Sequence, residues 1–223
     1  DRALRDGIAP HIARFMSEGL GATADSVMPS LTNPNNVSIV TGCPPSVHGI
    51  SGNYFLDPKT GDEVMMNDPG LVRAESILAA FSRGGARVGA VAAKEKLRGL
   101  LGAGIDLARG GINFSAERAD RCTLGENGVD DVLGLVGRPL PDIYSAELSL
   151  FVLEAGVRIL ELRRPQLMYL SLTDYMQHRY APDDAESLMF YQAIDVELCR
   201  LADTCAVIGI TADHGMNAKQ LPD

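Results

Sequence analysis

The sequence predicts an α/β fold, with a mostly parallel central sheet and helices on both faces. Three observations predict it. Apolar strand-like runs alternate with helical patterns along the chain, as crossover connections in a parallel sheet require. Three of those runs are nearly continuous in apolar residues, as strands covered on both faces should be. Each of the three also ends in a polar cluster, and open α/β sheets bind their ligands beyond the carboxyl ends of their strands.

Taken in order, residues 1–16 (DRALRDGIAPHIARFM) open directly on an amphipathic helical pattern. The stretch VMPSLTNPNNVSIVTGCPPSVHGISGN, residues 27–53, sets Thr32 between a short apolar run and an Asn-Pro-Asn-Asn turn, where a helical pattern of Val37, Ile39 and Val40 begins. A hydroxyl at that point serves either as an N-cap or as a nucleophile, because a helix N-terminus carries partial positive charge and unpaired N–H donors. The local pattern leaves both open. A helical pattern over 76–85 leads into the first strand, ARVGAVAAKEK, residues 86–96, which ends at Lys94 and Lys96. Two residues apart in an extended segment, these lysines are expected to project to the same side. Residues 99–144 are richer in Gly and Pro and less periodic, and are expected to form an excursion from the sheet or a lid.

Helical patterns over 146–164 and 187–203 flank the second strand, PQLMYLSLTDYMQH, residues 165–178, which ends at Asp174 and His178. The third strand, CAVIGITADHGM, residues 205–216, ends at Asp213 and His214. With 223 residues and 46% hydrophobic content, the chain is expected to fold as a single domain over 1–223.

Asp174 and His178 are four apart, so a helical turn after the strand puts both side chains on one side. Such residues suit zinc, manganese or iron. Asp213 and His214 are adjacent and can share an ion only where the backbone bends sharply, which Gly215 permits. Of the other histidines, His11 reads as a partly exposed helical residue, and His48 as a residue that orders the PPSVHGI turn.

A formal charge of −9 opposes nucleic acid or an anionic membrane as the main partner, so an anionic substrate must meet local positive charge. Cys43, Cys122, Cys199 and Cys205 form no CxxC pair and are expected to be free thiols in a reducing, cytoplasmic compartment. Neither a long apolar run nor a signal pattern is seen. The abrupt helical opening and the short polar ending lead to the expectation that the chain is cut at both ends.

The segment SLTNPNNVSIVTGCPPSVHGISGN, followed by AAKEKL, TDYMQH and ITADHGMNAK, closely resembles the phosphonoacetate hydrolases, two-zinc members of the alkaline phosphatase superfamily. The similarity runs along nearly the whole chain and implies an alkaline phosphatase-like core. By this resemblance Thr32 is the nucleophile and a ligand of one zinc, shared with Asp213 and His214. Asp174 and His178 bind the other zinc, Lys94 and Lys96 hold the substrate carboxylate, and Asn53 helps hold the phosphonyl oxygens. Two family ligands have no match: an aspartate in a V-D-G type motif before the first helix, since Asp1 lies within the helix region, and a late histidine, since none follows His214.

The chemistry implied is attack of zinc-bound Thr32 on phosphorus, departure of acetate, and hydrolysis of the phosphothreonine by water activated at the other zinc. The implied partner is a small-molecule phosphonate, and a homodimer is kept open. Two other readings remain. One is a phosphodiesterase or nucleotide pyrophosphatase, whose nucleophile region also reads threonine followed by VTG and HGI but lacks the AAKEKL pair. The other is a catalytically silent phosphate-binding module.

Overall fold

The computed structural model describes residues 2–218; Asp1 and residues 219–223 lie outside the described residues. The opening helical pattern is split into α1 (Arg2–Arg5) and α2 (Pro10–Glu18). Gly7, at a φ of 69°, turns the chain between them, and Pro10 suits a first helical turn because it has no N–H to leave unpaired. Helix α3 (Thr32–Thr41) stops at Gly42 in the left-handed conformation, and the short α4 (Pro45–His48) stops the same way at Gly49. An antiparallel hairpin, β1 (Tyr54–Leu56) with β2 (Glu63–Met65), follows. Ser76 caps α5 (Ile77–Arg83) by accepting from the Ala79 N–H at 3.1 Å.

The main sheet has the order β4-β3-β5, all parallel. Strand β3 (Val88–Ala92) is central, and each of its residues is buried. Val91 pairs with Phe114 on β4 (Ile112–Ser115) and with Leu170 on β5 (Leu167–Ser171). The β3–β5 pairing is framed by Arg87 and Gln166. The Arg87 N–H donates to Gln166 Oε1 at 2.8 Å, and the Gln166 N–H donates to the Arg87 carbonyl at 2.9 Å.

Side chains alternate across β3, as strand geometry requires. Val88, Ala90 and Ala92 face a core completed by α3, α5 and α6 (Glu95–Gly102). Val91 faces the opposite core, with Phe114, Phe151 and Val132 from α8 (Val132–Val136) and α9 (Ala146–Arg163). Each fully buried side chain of this size contributes about 1.5–3 kcal/mol. Beyond α9 a third cluster joins it to α11 (Ala185–Asp203), with α2 and α10 (Tyr175–Arg179) packed at its edge. The Asp195 carboxylate on α11 accepts from the His11 and Ile12 N–H groups at 3.1 and 2.8 Å, serving the first turn of α2. The predicted parallel sheet with helices on both faces is therefore what the chain builds.

Three sequence expectations need correction. Residues 99–144 contribute β4 to the sheet, together with α7 (Leu124–Asn127) and α8. Four residues, INFS, between the Gly110-Gly111 pair and the 3-10 turns of residues 116–121 are too short for a periodic signal. The segment 205–216 forms no strand among the described residues: no described strand pairs with it, and Val207 and Ile210 stay exposed. Strands β4 and β5 each keep an edge without a described strand partner, so an apolar run is not by itself enough to add a strand there. Finally, the first strand ends at Ala92, and Lys96 already lies inside α6 with Lys94 at its N-cap position. The two lysines do not share an extended segment.

Candidate active site

The polar residues at the C-terminal ends of β3 and β5 open onto one cleft of about 2040 Å³. Its lining includes Thr32, Lys94, Lys96, Asp174, Asp213 and His214. Asn53 and His178 are not among the lining residues.

Thr32 is the first residue of α3, and Leu31 occupies the N-cap. The capping reading of Thr32 therefore fails, and among the described residues its hydroxyl has no hydrogen-bond partner. The first intrahelical bond runs from the Asn35 N–H to the Leu31 carbonyl, so the N–H groups of Thr32 and Asn33 precede the helical ladder, and Pro34 has none. That arrangement directs positive potential at the space beside Thr32 and would favour an anion there. The helix is anchored by three asparagines. Asn36 donates to the Thr32 carbonyl at 3.0 Å, and its Oδ1 accepts from the Tyr169 hydroxyl at 3.0 Å and the Ser171 hydroxyl at 3.2 Å, which ties the start of α3 to β5. Burial, with Asp213 adding to it, pushes the Tyr169 phenol up to about 12, so it stays a donor. Asn35 accepts from the Val27 N–H at 3.1 Å, and Asn33 donates to the Met66 carbonyl at 2.9 Å.

Lys94 leaves the end of β3 with its ammonium donating to the Ile143 carbonyl at 2.8 Å and sitting 4.8 Å from the centre of the Tyr144 ring. Burial lowers its pKa, with neighbouring Lys96 acting in the same direction and Glu117, Asp142 and Asp174 opposing. Arg98, by contrast, is paired with Glu95 at 2.8 Å. Glu95 also accepts from the Ser115 hydroxyl at 2.6 Å, which joins the start of α6 to the end of β4.

At the end of β5 the chain turns directly into α10, so Asp174 and His178 meet as their spacing predicts, Nε2 to Oδ2 at 3.0 Å. His214 approaches the same Asp174 oxygen at 3.7 Å and lies 4.0 Å from Asp213. The two pairs that the resemblance assigns to different ions thus meet around Asp174. Two histidines and two aspartates form a donor set whose chemistry fits zinc. Asp174 contacts both histidines, His214 Nδ1 also lies 3.2 Å from the Gly215 carbonyl oxygen, and among the described residues no group of three His, Cys, Asp or Glu is arranged to hold an ion.

His48 resembles one half of a Ser-His dyad, since its Nε2 is 2.9 Å from Ser38 Oγ. Its Nδ1, however, accepts from the Ile50 N–H at 3.1 Å, so the ring proton sits on Nε2 and donates to Ser38. An imidazole with that tautomer cannot take a proton from the serine. Fully buried, with its pKa lowered by that burial, His48 orders the turn after α4.

Asn53 stands just before β1, where its carbonyl accepts from the Met66 N–H at 2.8 Å and its buried Oδ1 has no partner. Two residues that the sequence reading passed over belong to the site. Asn36 had only the Asn-rich turn to mark it. Tyr144, in the cleft lining, was marked only by the preceding Pro-Leu-Pro-Asp run.

The strand ends of this α/β sheet thus bring a helix-terminal threonine, two lysines, Asp174, Asp213 and His214 to one cleft. Residues 2–221 match the family described as type I phosphodiesterase / nucleotide pyrophosphatase, and the chain belongs to that family, within the alkaline phosphatase superfamily.

Among solved structures, the chain is similar to the phosphonoacetate hydrolase of Sinorhizobium meliloti 1021, in complexes with phosphonoformate and with phosphonoacetate. Each aligns at 50% identity and a TM-score of 0.92 over 96% of this chain and 52% of the other. A murine ectonucleotide pyrophosphatase/phosphodiesterase 5, an inactive variant in complex with AMP, shares the fold at a TM-score of 0.54 and 18% identity, over 88% of this chain and 46% of the other. An uncharacterised pyrophosphatase/phosphodiesterase of Schizosaccharomyces pombe is 49% identical over 41 residues, 18% of this chain and 8% of that protein. The chain spans about half the length of the solved structures it matches.

Proposed function

We propose that this chain supplies the nucleophile and carboxylate-binding side of an enzyme that hydrolyses the carbon–phosphorus bond of phosphonoacetate to acetate and phosphate. The observation that carries the reading is the single cleft that unites Thr32 with Lys94 and Lys96, in a chain 50% identical to an enzyme solved with phosphonoacetate.

The leaving group is the acetate carbanion, stabilised only as its charge spreads onto the carboxylate. A site for it needs an oxygen nucleophile at one end and cations at the other. Thr32 Oγ forms the new bond to phosphorus, the carbon–phosphorus bond breaks, and its electron pair is delocalised into the carboxylate before the carbon takes up a proton. Lys94 and Lys96 meet the growing negative charge, and Asn53 assists at the phosphonyl oxygens. Water then cleaves the phosphothreonine and releases phosphate. Two zinc ions would be held by Asp174, His178, Asp213, His214 and Thr32; when bound, zinc polarises the phosphonyl group and eases deprotonation of oxygen nucleophiles. The four cysteines are free thiols, which supports a cytoplasmic setting. Among the described residues no helix is long and apolar enough to cross a membrane.

The test compares two substrates in the intact protein. Lys94→Ala and Lys96→Ala are expected to cut turnover of phosphonoacetate by about tenfold or more, the scale of losing a charge-assisted contact, and that of nitrophenyl phosphate much less, since it has no carboxylate. Comparable losses on both substrates, or none on either, would remove the assignment. The family match then favours the second reading, hydrolysis of a phosphodiester or pyrophosphate.

A further inference from the structure

The strap between α8 and α9 runs from Gly137 to Ser145 and contains Pro139 and Pro141. It is fastened at its far end. The Tyr144 N–H donates to Asp142 Oδ1 at 2.7 Å, and the Ser145 hydroxyl donates to the Asp142 carbonyl at 2.8 Å. The turn so fixed carries Tyr144 into the cleft with 67% of its surface exposed. One side of the ring meets the Lys94 ammonium, 4.8 Å from the centroid, and another meets Tyr175, ring centres 6.0 Å apart and tilted by 47°. Tyr175 directly follows Asp174. Tyr144 therefore bridges the lysine end of the cleft and the Asp/His end.

Building on the proposed reaction, we propose that Tyr144 is a positioning residue that aims Lys94 at the substrate carboxylate. A lysine ammonium has three donors on a flexible four-carbon stem, and free rotation spends binding energy on ordering it. Here one donor is taken by the Ile143 carbonyl, and the aromatic face covers a second direction. What remains is an ammonium held in place with one direction left for an incoming carboxylate. Both restraints come from adjacent residues of the same strap, so a single loop fixes Lys94.

The experiment measures phosphonoacetate kinetics in the intact protein with Tyr144→Phe, Tyr144→Leu and Tyr144→Gln, each checked by thermal melting. Phe keeps the aromatic face, so its KM is expected to stay within about twofold of wild type. Leu and Gln remove the face and are expected to raise KM about three- to thirtyfold, the range of one cation–π contact, with a smaller change in kcat and in turnover of nitrophenyl phosphate. In a Lys94→Met background the Tyr144→Leu effect should vanish, because the ring acts through the lysine.

Unchanged KM in both Leu and Gln variants, equal losses with Phe and Leu, or a full Leu effect that persists without Lys94 would each overturn the proposal. A wild-type protein that does not turn over phosphonoacetate would instead overturn the functional reading on which it rests.

Discussion

Thr32 begins α3 with an unengaged hydroxyl, while Leu31 one residue earlier takes the capping position. Removing that hydroxyl costs the helix no cap, so Thr32→Ala is expected to shift stability by no more than about 0.5 kcal/mol, as for a substitution outside any structural network. In the intact protein the same change should remove turnover, with Thr32→Ser retaining part of it. Near-normal turnover of the Ala variant would end the nucleophile role. At this scale the sequence was readable where partners are close along the chain. Asp174 and His178 sit one helical turn apart and meet as expected. It was unreadable where a partner comes from elsewhere: Lys94 meets Ile143 and Tyr144 from about fifty residues away, and Asn36 meets Tyr169 across a separation of 133. The lysine spacing misled because a helix start, capped by no side chain, falls between the two residues.

At the scale of elements, the long helices and the two strands β3 and β5 were legible because their apolar patterns are long enough to carry a period. Strand β4 was not, and its position depends on backbone contact that no hydropathy pattern reports. Gly128 ends α7 at a φ of 71°, and a Cβ there would stand 1.9 Å from the Gly111 carbonyl oxygen, just ahead of β4. Asn127, its neighbour, donates to the Asn113 carbonyl on β4 at 2.9 Å. Gly128→Ala is expected to destabilise the protein by about 2–4 kcal/mol, from left-handed strain plus overpacking against backbone. Gly125→Ala, in the same helix but facing open space, should be neutral or stabilising by up to about 1 kcal/mol. Urea denaturation of the two variants tests the contrast, and equal midpoints would mean that α7 does not hold β4. The segment 205–216 shows the converse, an adequate apolar pattern that pairs with no described strand although β4 and β5 each keep an edge without a described strand partner.

For the whole molecule, His48 links stability to pH. Burial holds its folded-state pKa below the ordinary 6.5, so as pH falls the unfolded chain takes up the proton first. Its contribution is complete above about pH 6.5 and declines below it, because a protonated Nδ1 would face the Ile50 N–H donor to donor. Wild type is expected to lose melting temperature more steeply than His48→Gln between about pH 7 and about pH 5. Parallel slopes would show that the ring titrates alike in both states. The frame of Arg87 and Gln166 bears on time rather than energy. These residues are 79 apart in the chain, and the β3–β5 ladder they open is parallel, so no tight turn can zip it. Loop closure over that distance must precede the contacts that reward it, which slows such pairings. During refolding, helices such as α9 and α11 can form on local contacts while the ends of β3 and β5 are still apart, so the cleft is assembled after most of the helical signal has appeared.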